Sequence, residues 1–335
     1  MHRPQIVIAM PPALRADFFR AQDLTRLEVC GDVVISPSPL DHTSPGAQVV
    51  LAGAEILLTG WGTPLIDEAV LRAAPRLRAV VHTAGSVRKI VPSAAYARGV
   101  RVSSQTAANS EPVAEYTTAM IMLAAKDTFR AARLYRAQRT KVDRAAHFPS
   151  VGLFGARLGL IGLSRISRRV IELLRPFDID VLVSSGHLSV AEATELGVRS
   201  VSLEELLTTC DVVSLHSASL PRTQHLLGAG ELALLRDGAT FINTARGEIV
   251  DQGALVTELA TGRIDAILDV TDPDVTAADS PLWDLPNVLL TPHFAGAVGT
   301  ELYRLGLGAV VDVECFLAGA PMPGEISAEQ FNQQA

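Results

Sequence analysis

The chain has 335 residues, 48% of them hydrophobic, which is enough to bury the cores of two ordinary domains and excludes a single small one. Its 29 Lys and Arg against 36 Asp and Glu give a formal charge of -7, which opposes non-specific attraction to nucleic acid or anionic lipid. Mean hydropathy is +0.27, yet charges, glycines and prolines break every apolar stretch before the roughly 20 residues that a bilayer span needs, so neither a membrane nor a nucleic-acid partner is expected.

The first element is an apolar run, Gln5 to Met10, too short for the core of a secretion signal and followed at once by Pro11-Pro12. Further β-rich runs follow at Glu55–Thr59, Arg78–Val81, Arg157–Leu163, Ile179–Ser184, Asp211–Leu215, Ala239–Asn243, Ile264–Val270 and Asn287–Leu290. Between them lie helix-like stretches rich in Ala, Leu, Glu and Arg, and that alternation predicts parallel sheets crossed over by helices. Most of the runs are continuously apolar, as strands covered on both faces should be.

Asn109, with Pro112 close behind it, predicts a helix start in which the missing proline N–H costs little, and the helix should run to about Lys126. Arg130, Arg133, Arg136 and Arg139 then recur every three residues, read first as a solvated helical face and otherwise as a grip for an anion or a partner subunit. Cys30, Cys210 and Cys315 lie far apart without metal-ligand spacing, which predicts no metal and reduced thiols in the cytoplasm. The tail from Ala320 onward, with Pro321, Pro323 and Gly324, reads as a frayed end.

The run Arg157 to Leu163 carries Gly162 at its end, followed by Ser164-Arg165-Ile166-Ser167 and a helical stretch from Arg168 to Leu174. A dinucleotide-binding turn belongs here, but of the three glycines in G-x-G-x-x-G only Gly162 stands, with Ser164 and Ser167 in the other places. Ser is small and its hydroxyl can donate to a phosphate oxygen, although a Cβ at Ser164 crowds the approach of a pyrophosphate. The next strand ends in Ser184-Ser185-Gly186-His187 instead of the acid that grips a ribose 2'-hydroxyl. NAD is the expected cofactor, because no arginine follows Ser185 to hold a 2'-phosphate; NADP stays open because no acid repels it.

Four blocks then come in order: Asp211-Val212-Val213-Ser214-Leu215-His216, Ile242-Asn243-Thr244-Ala245-Arg246-Gly247, Leu268-Asp269-Val270 and Asn287-Val288-Leu289-Leu290-Thr291-Pro292-His293. In this order and spacing they resemble the signatures of D-isomer-specific 2-hydroxyacid dehydrogenases, with a degenerate glycine motif. Upstream, His82-Thr83-Ala84-Gly85-Ser86 resembles the family's substrate-carboxylate loop, and Asn109 with Glu115 matches the start of its interdomain helix. The resemblance implies an α/β chain of two Rossmann-like, doubly wound parallel-sheet domains. A discontinuous, flavodoxin-like substrate domain would take residues 1–107 and 296–335, a dinucleotide domain residues 108–295, and a homodimer would form through the latter.

By the same resemblance the catalytic trio is Arg246, Asp274 and His293. His293 would exchange the proton of a 2-ketoacid carbonyl oxygen, and Arg246 would bind the substrate carboxylate with its planar fork. An acid would orient the imidazole; the family has Glu at this point, so Asp274, shorter by one methylene, leaves Asp272 as an alternative. Ala84, Gly85 and Ser86 would bind the small anionic 2-ketoacid or 2-hydroxyacid. Gly162, Ser164, Arg165, Ile166, Ser184, Ser185, His216, Thr244, Ala245 and Asp269 would line the cofactor. Arg88 and Lys89 read as exposed turn residues rather than a grip for a second anionic group. The expected activity is hydride transfer between a nicotinamide cofactor and the ketoacid in the cleft between domains. The competing expectation, raised by Ser164, Ser167, Ser185 and Asp274, is a relative turned to ligand binding, scaffolding or non-redox chemistry.

Overall fold

Runs of Val, Ile and Leu without polar alternation are stable only when both faces are covered. In the computed structural model, which describes residues 2–333 apart from Pro37 and Pro39, such runs build two parallel sheets. The first contains β1 (Gln5–Ala9), β2 (Asp32–Ile35), β3 (Ala54–Thr59), β4 (Ala79–His82) and β5 (Arg101–Ser104) in the order β2-β1-β3-β4-β5. The second contains β6 (Ala156–Ile161), β7 (Ile179–Ser184), β8 (Arg199–Ser200), β9 (Val212–Leu215), β10 (Thr240–Asn243), β11 (Asp265–Leu268) and β12 (Val288–Leu290), in the order β12-β11-β10-β9-β6-β7-β8. Both are doubly wound orders, the two-sheet Rossmann-like architecture expected from the sequence.

Contacts within the chain group Met1–Ser110 with Ala297–Ala335 in one compact unit and Glu111–Gly296 in another. In the first unit the helix Leu302–Leu317 lays Leu305, Ala309, Val313 and Phe316 along one stripe at spacings of three and four, and packs them with Ile6, Ile8, Ile56 and Leu58 of the sheet. In the second, strand order reverses between β6 and β9, which makes their carboxyl ends the topological switch point of the sheet.

Three strands escaped the sequence reading for physical reasons. The edge strand β2 is only partly covered, so its pattern lacks the continuous apolar signal. In β5 the apolar run is replaced by Val102-Ser103-Ser104, all buried, and β8 is two exposed residues. The helix expected from Asn109 begins at Thr106 and ends at Ala125, which places Pro112 inside it. Asn109 does not cap: its Oδ1 accepts from the Ala297 N–H at 3.0 Å.

The expected frayed tail is also corrected. Ser104 N–H donates to the Gly324 carbonyl at 2.9 Å and Ile326 N–H to the Val102 carbonyl at 2.8 Å, so the segment docks beside β5. Asp312 accepts from Gly324 N–H at 3.0 Å and from Gln105 Nε2 at 2.8 Å, Arg101 pairs with Glu325 at 2.6 Å, and Met322 and Ile326 are buried. Gln334 and Ala335, the last two residues of that tail, lie outside the described residues.

Two buried imidazoles give the fold a pH dependence. His82 Nδ1 lies 2.9 Å from Thr59 Oγ1 and His216 Nε2 lies 3.0 Å from Ser214 Oγ, and burial pushes each from 6.5 down to about 4. Below pH 6.5 the unfolded chain takes up protons that these folded sites refuse, so stability falls with pH until about pH 4, by roughly 3 kcal/mol for each ring. Urea unfolding midpoints between pH 7.5 and 4.5 should therefore drop steeply, and should drop less in a His82→Gln, His216→Gln double variant. An equally steep fall in that variant would assign the effect elsewhere.

Candidate active site

At the end of β6 the chain turns at Gly162 with φ of +95°, a left-handed conformation that favours glycine. A Cβ there would lie 2.7 Å from the Ser217 nitrogen, so the missing side chain lets the loops after β6 and β9 touch. Ser164 then caps the helix Arg165–Leu174: its Oγ accepts from Ser167 N–H at 3.2 Å, while Ser167 Oγ accepts from Ser164 N–H at 2.7 Å. The two serines that replace glycines thus satisfy each other, and Ser167 is fully buried. The N–H groups of Arg165 and Ile166 have no partner among the described residues, and the Arg165 side chain is exposed beside them. Two free amides, a helix dipole and a guanidinium suit a diphosphate.

Ser184 and Ser185 close β7 half-buried, with Ser185 Oγ accepting from His187 N–H at 3.4 Å. No carboxylate stands at this strand end. His216, expected along the cofactor, is buried, with its Nε2 3.0 Å from Ser214 Oγ.

Arg246, Asp269 and His293 follow the carboxyl ends of β10, β11 and β12, three strands paired in parallel. Parallel neighbours lie about 4.8 Å apart, so their loops emerge side by side. Asn243 shapes the first loop, accepting from Ala245 N–H and donating to the Arg246 carbonyl, both at 3.0 Å. Arg246 is exposed, its Nη1 donating to the Ala245 carbonyl at 2.7 Å. Behind it Gly247 lies so close to Thr271 that a Cβ would sit 2.1 Å from that residue's carbonyl. The arginine loop therefore rests directly on the segment leading to Asp274.

In that segment Thr271 Oγ1 donates to the carbonyls of Pro273 at 2.7 Å and Asp274 at 3.1 Å, and Asp274 Oδ1 reaches His293 Nδ1 at 3.1 Å. Of the two candidate acids it is Asp274 that meets the imidazole, while the Asp272 N–H bonds Gln252 Oε1. His293 has φ of +54°, uncommon for a residue with a Cβ. Its N–H donates to the Asp269 carbonyl at 2.9 Å, and the Asp269 carboxylate accepts from Thr291 Oγ1 at 2.5 Å, Phe294 N–H at 2.7 Å and Ala295 N–H at 2.9 Å. Asp269 is buried, so its carboxylate serves the histidine loop, where the sequence reading had assigned it to the cofactor.

Sequence reasoning missed two further residues, Tyr116 and Thr117 of the helix Thr106–Ala125. Tyr116 OH lies 3.1 Å from Thr291 Oγ1, and Thr117 Oγ1 lies 2.9 Å from Thr244 Oγ1. Single hydroxyls inside a helix carry no motif that would have marked them. Ala245 stands half-buried in the same loop. In the other unit, Ala84 is buried, Gln105 N–H donates to its carbonyl at 2.9 Å, Thr106 Oγ1 donates to the Gly85 carbonyl at 3.2 Å, and Ser86, Arg88 and Lys89 are exposed. Among the described residues no group of three or more His, Cys, Asp or Glu is arranged to hold a metal, and no helix is long and apolar enough to cross a membrane.

A doubly wound domain with a glycine turn at its switch point and an Asp–His pair at neighbouring strand ends has the form of a dinucleotide-dependent enzyme. Comparison with known proteins gives the family. Residues 118–295 match the D-isomer specific 2-hydroxyacid dehydrogenase NAD binding domain. The glyoxylate reductase of Aeropyrum pernix is 34% identical over 272 residues, covering 80% of this chain and 81% of that one. The D-3-phosphoglycerate dehydrogenase of Mycobacterium leprae is 30% identical over 279 residues, 82% of this chain and 52% of that one, so the chain spans about half the length of the curated dehydrogenase it matches. The crystal structure of the TT0316 protein from Thermus thermophilus superposes with a TM-score of 0.75 at 29% identity, covering 96% of this chain and 99% of that one. The chain belongs to the D-isomer-specific 2-hydroxyacid dehydrogenase family, and NAD(P) is its cofactor.

The backbone contact at Gly247 is testable. Gly247→Ala should lower the urea unfolding midpoint by the equivalent of about 1–3 kcal/mol, because a methyl group has no room against Thr271. An unchanged midpoint would show that the two segments separate freely.

Proposed function

We propose that the chain is an NAD(P)-dependent oxidoreductase interconverting a small 2-ketoacid and its 2-hydroxyacid. The observation that carries this reading is the 3.1 Å pairing of His293 with Asp274 beside the Arg246 loop, in the domain that holds the glycine turn. The bound dinucleotide supplies or accepts the hydride. Asp274 engages Nδ1 of His293 and so leaves Nε2 to give a proton to the carbonyl oxygen in reduction, or to take it back from the hydroxyl in oxidation. Arg246, exposed and fixed at its backbone by Asn243, pairs with the substrate carboxylate and draws electron density from the adjacent carbonyl. Gly162 and the free amides of Arg165 and Ile166 take the diphosphate. NAD is preferred, since no arginine follows Ser185. Three free cysteines fit a reducing, cytoplasmic setting.

Fluorescence titrations with NADH and NADPH, followed by a panel of 2-ketoacids, test this directly. NADH should bind, a ketoacid should drive its oxidation, and His293→Ala should cut kcat by about 10²–10⁴-fold while leaving NADH affinity within about twofold. Absence of binding to either nucleotide at millimolar concentration would favour a non-redox role.

The partner we assign to the second unit is another copy of this chain. From Thr128 to Gly155 no residue is buried, although the stretch includes the helix Thr128–Gln138 and leaves Tyr135 63% and Phe154 88% exposed. Arg130 and Arg133 are held by Asp127 and Asp265, so the arginine row is partly neutralised in place. Ordered structure with exposed aromatics and no core of its own needs an apolar cover. Sedimentation should give twice the 35.6 kDa of the chain, and Tyr135→Glu with Phe154→Glu should shift it to one copy. A monomer in the unaltered protein would reject this assignment.

A further inference from the structure

Tyr116 and Thr117 are neighbours on one helix, yet each bonds a different loop of the candidate active site. Thr291, the partner of Tyr116, stands two residues before His293; Thr244, the partner of Thr117, stands two residues before Arg246. Successive helical residues point about 100° apart, so adjacent side chains can serve the ends of β12 and β10 on either side of β11. The direction of the first contact follows from proton counting. Asp269 as a carboxylate only accepts, so the Thr291 hydroxyl spends its proton on Oδ1 at 2.5 Å and must accept from the Tyr116 phenol. Burial raises the Tyr116 phenol above its ordinary range, which keeps it a neutral donor. The relay Tyr116–Thr291–Asp269 ends on the group that also holds Phe294 N–H and Ala295 N–H, the backbone on the far side of His293. Thr117 and Thr244 form a second, buried pair that holds the start of the Arg246 loop.

We propose that Tyr116 and Thr117 are separate positioning residues for the two ends of the reaction, Tyr116 setting the His293 loop and Thr117 setting the Arg246 loop. This rests on the roles given to His293 and Arg246 above. Helix-to-sheet packing alone would make the two residues equivalent; the positioning roles make them opposite in kinetics.

Tyr116→Phe removes one oxygen and Thr117→Val is isosteric, so both should fold. At saturating NADH, Tyr116→Phe should lower kcat about 10-fold with KM for the ketoacid within about twofold, and Thr117→Val should raise KM about 10-fold with a smaller change in kcat. Thr117→Ser, which keeps the hydroxyl, should return KM to within about threefold of the parent. Equal losses in both variants, or no loss in either, would overturn the proposal. A readout independent of turnover separates it from the proposed activity: with histidine ¹³C-labelled at Cε1, the His293 signal should broaden or split in Tyr116→Phe and stay as in the parent in Thr117→Val. A parent that fails to oxidise NADH with any ketoacid, yet shows this spectral response, would reject the activity and uphold the Tyr116 relay. An unresponsive signal in a parent with full turnover would reject the relay itself.

Discussion

A buried carboxylate at the end of β11 sets the geometry around it. Asp269 takes two backbone N–H groups and one hydroxyl from the loop after β12, and its carbonyl takes a third N–H, from His293. A non-glycine residue in the left-handed region costs on the order of 1–3 kcal/mol and persists only where its surroundings over-determine it. Five residues further along the same segment, Asp274 meets the imidazole. One acid holds the backbone of His293 and the other holds its ring, so the direction of the histidine is fixed from a single strand and its continuation. Arg246 is tied to that continuation through the close approach at Gly247.

Much of this was legible in the sequence where composition and order carry the signal. The apolar runs marked nine strands to within a residue or two at most ends, and four ordered blocks marked the loops that bear Arg246, Asp269 and His293. What stayed hidden depends on folding. The backbone of Ser104 in β5 is bonded by a segment more than two hundred residues away, and a buried polar strand of this kind has no periodic signature. The tail looked loose because Pro and Gly interrupt it, whereas Asp312 and Arg101 hold it from elsewhere in the chain. The choice between Asp272 and Asp274 needed the turn built by Thr271, and the hydroxyls of Tyr116 and Thr117 acquire meaning only from what they touch.

The departures from the family pattern prove internally consistent. Serine at the positions of two glycines forms a reciprocal cap, which satisfies donors that a glycine turn would leave open and still spares the amides of Arg165 and Ile166. Aspartate in place of glutamate loses reach, but the turn at Thr271 brings its carboxylate to hydrogen-bonding distance. Each of these three changes is offset by a contact within a few residues of it.

The helix Leu302–Leu317 and the segment ending at Ile326 belong to the same unit as β1 to β5, although the whole of Glu111–Gly296 intervenes. A ribosome emits the chain in one direction. The first sheet therefore leaves the exit tunnel with Ile6, Ile8 and Phe18 uncovered and must wait for residues 302–326, while the inserted unit already has all its strands. The order of completion is the reverse of the order of synthesis, and in the interval between them that apolar face stays open to water.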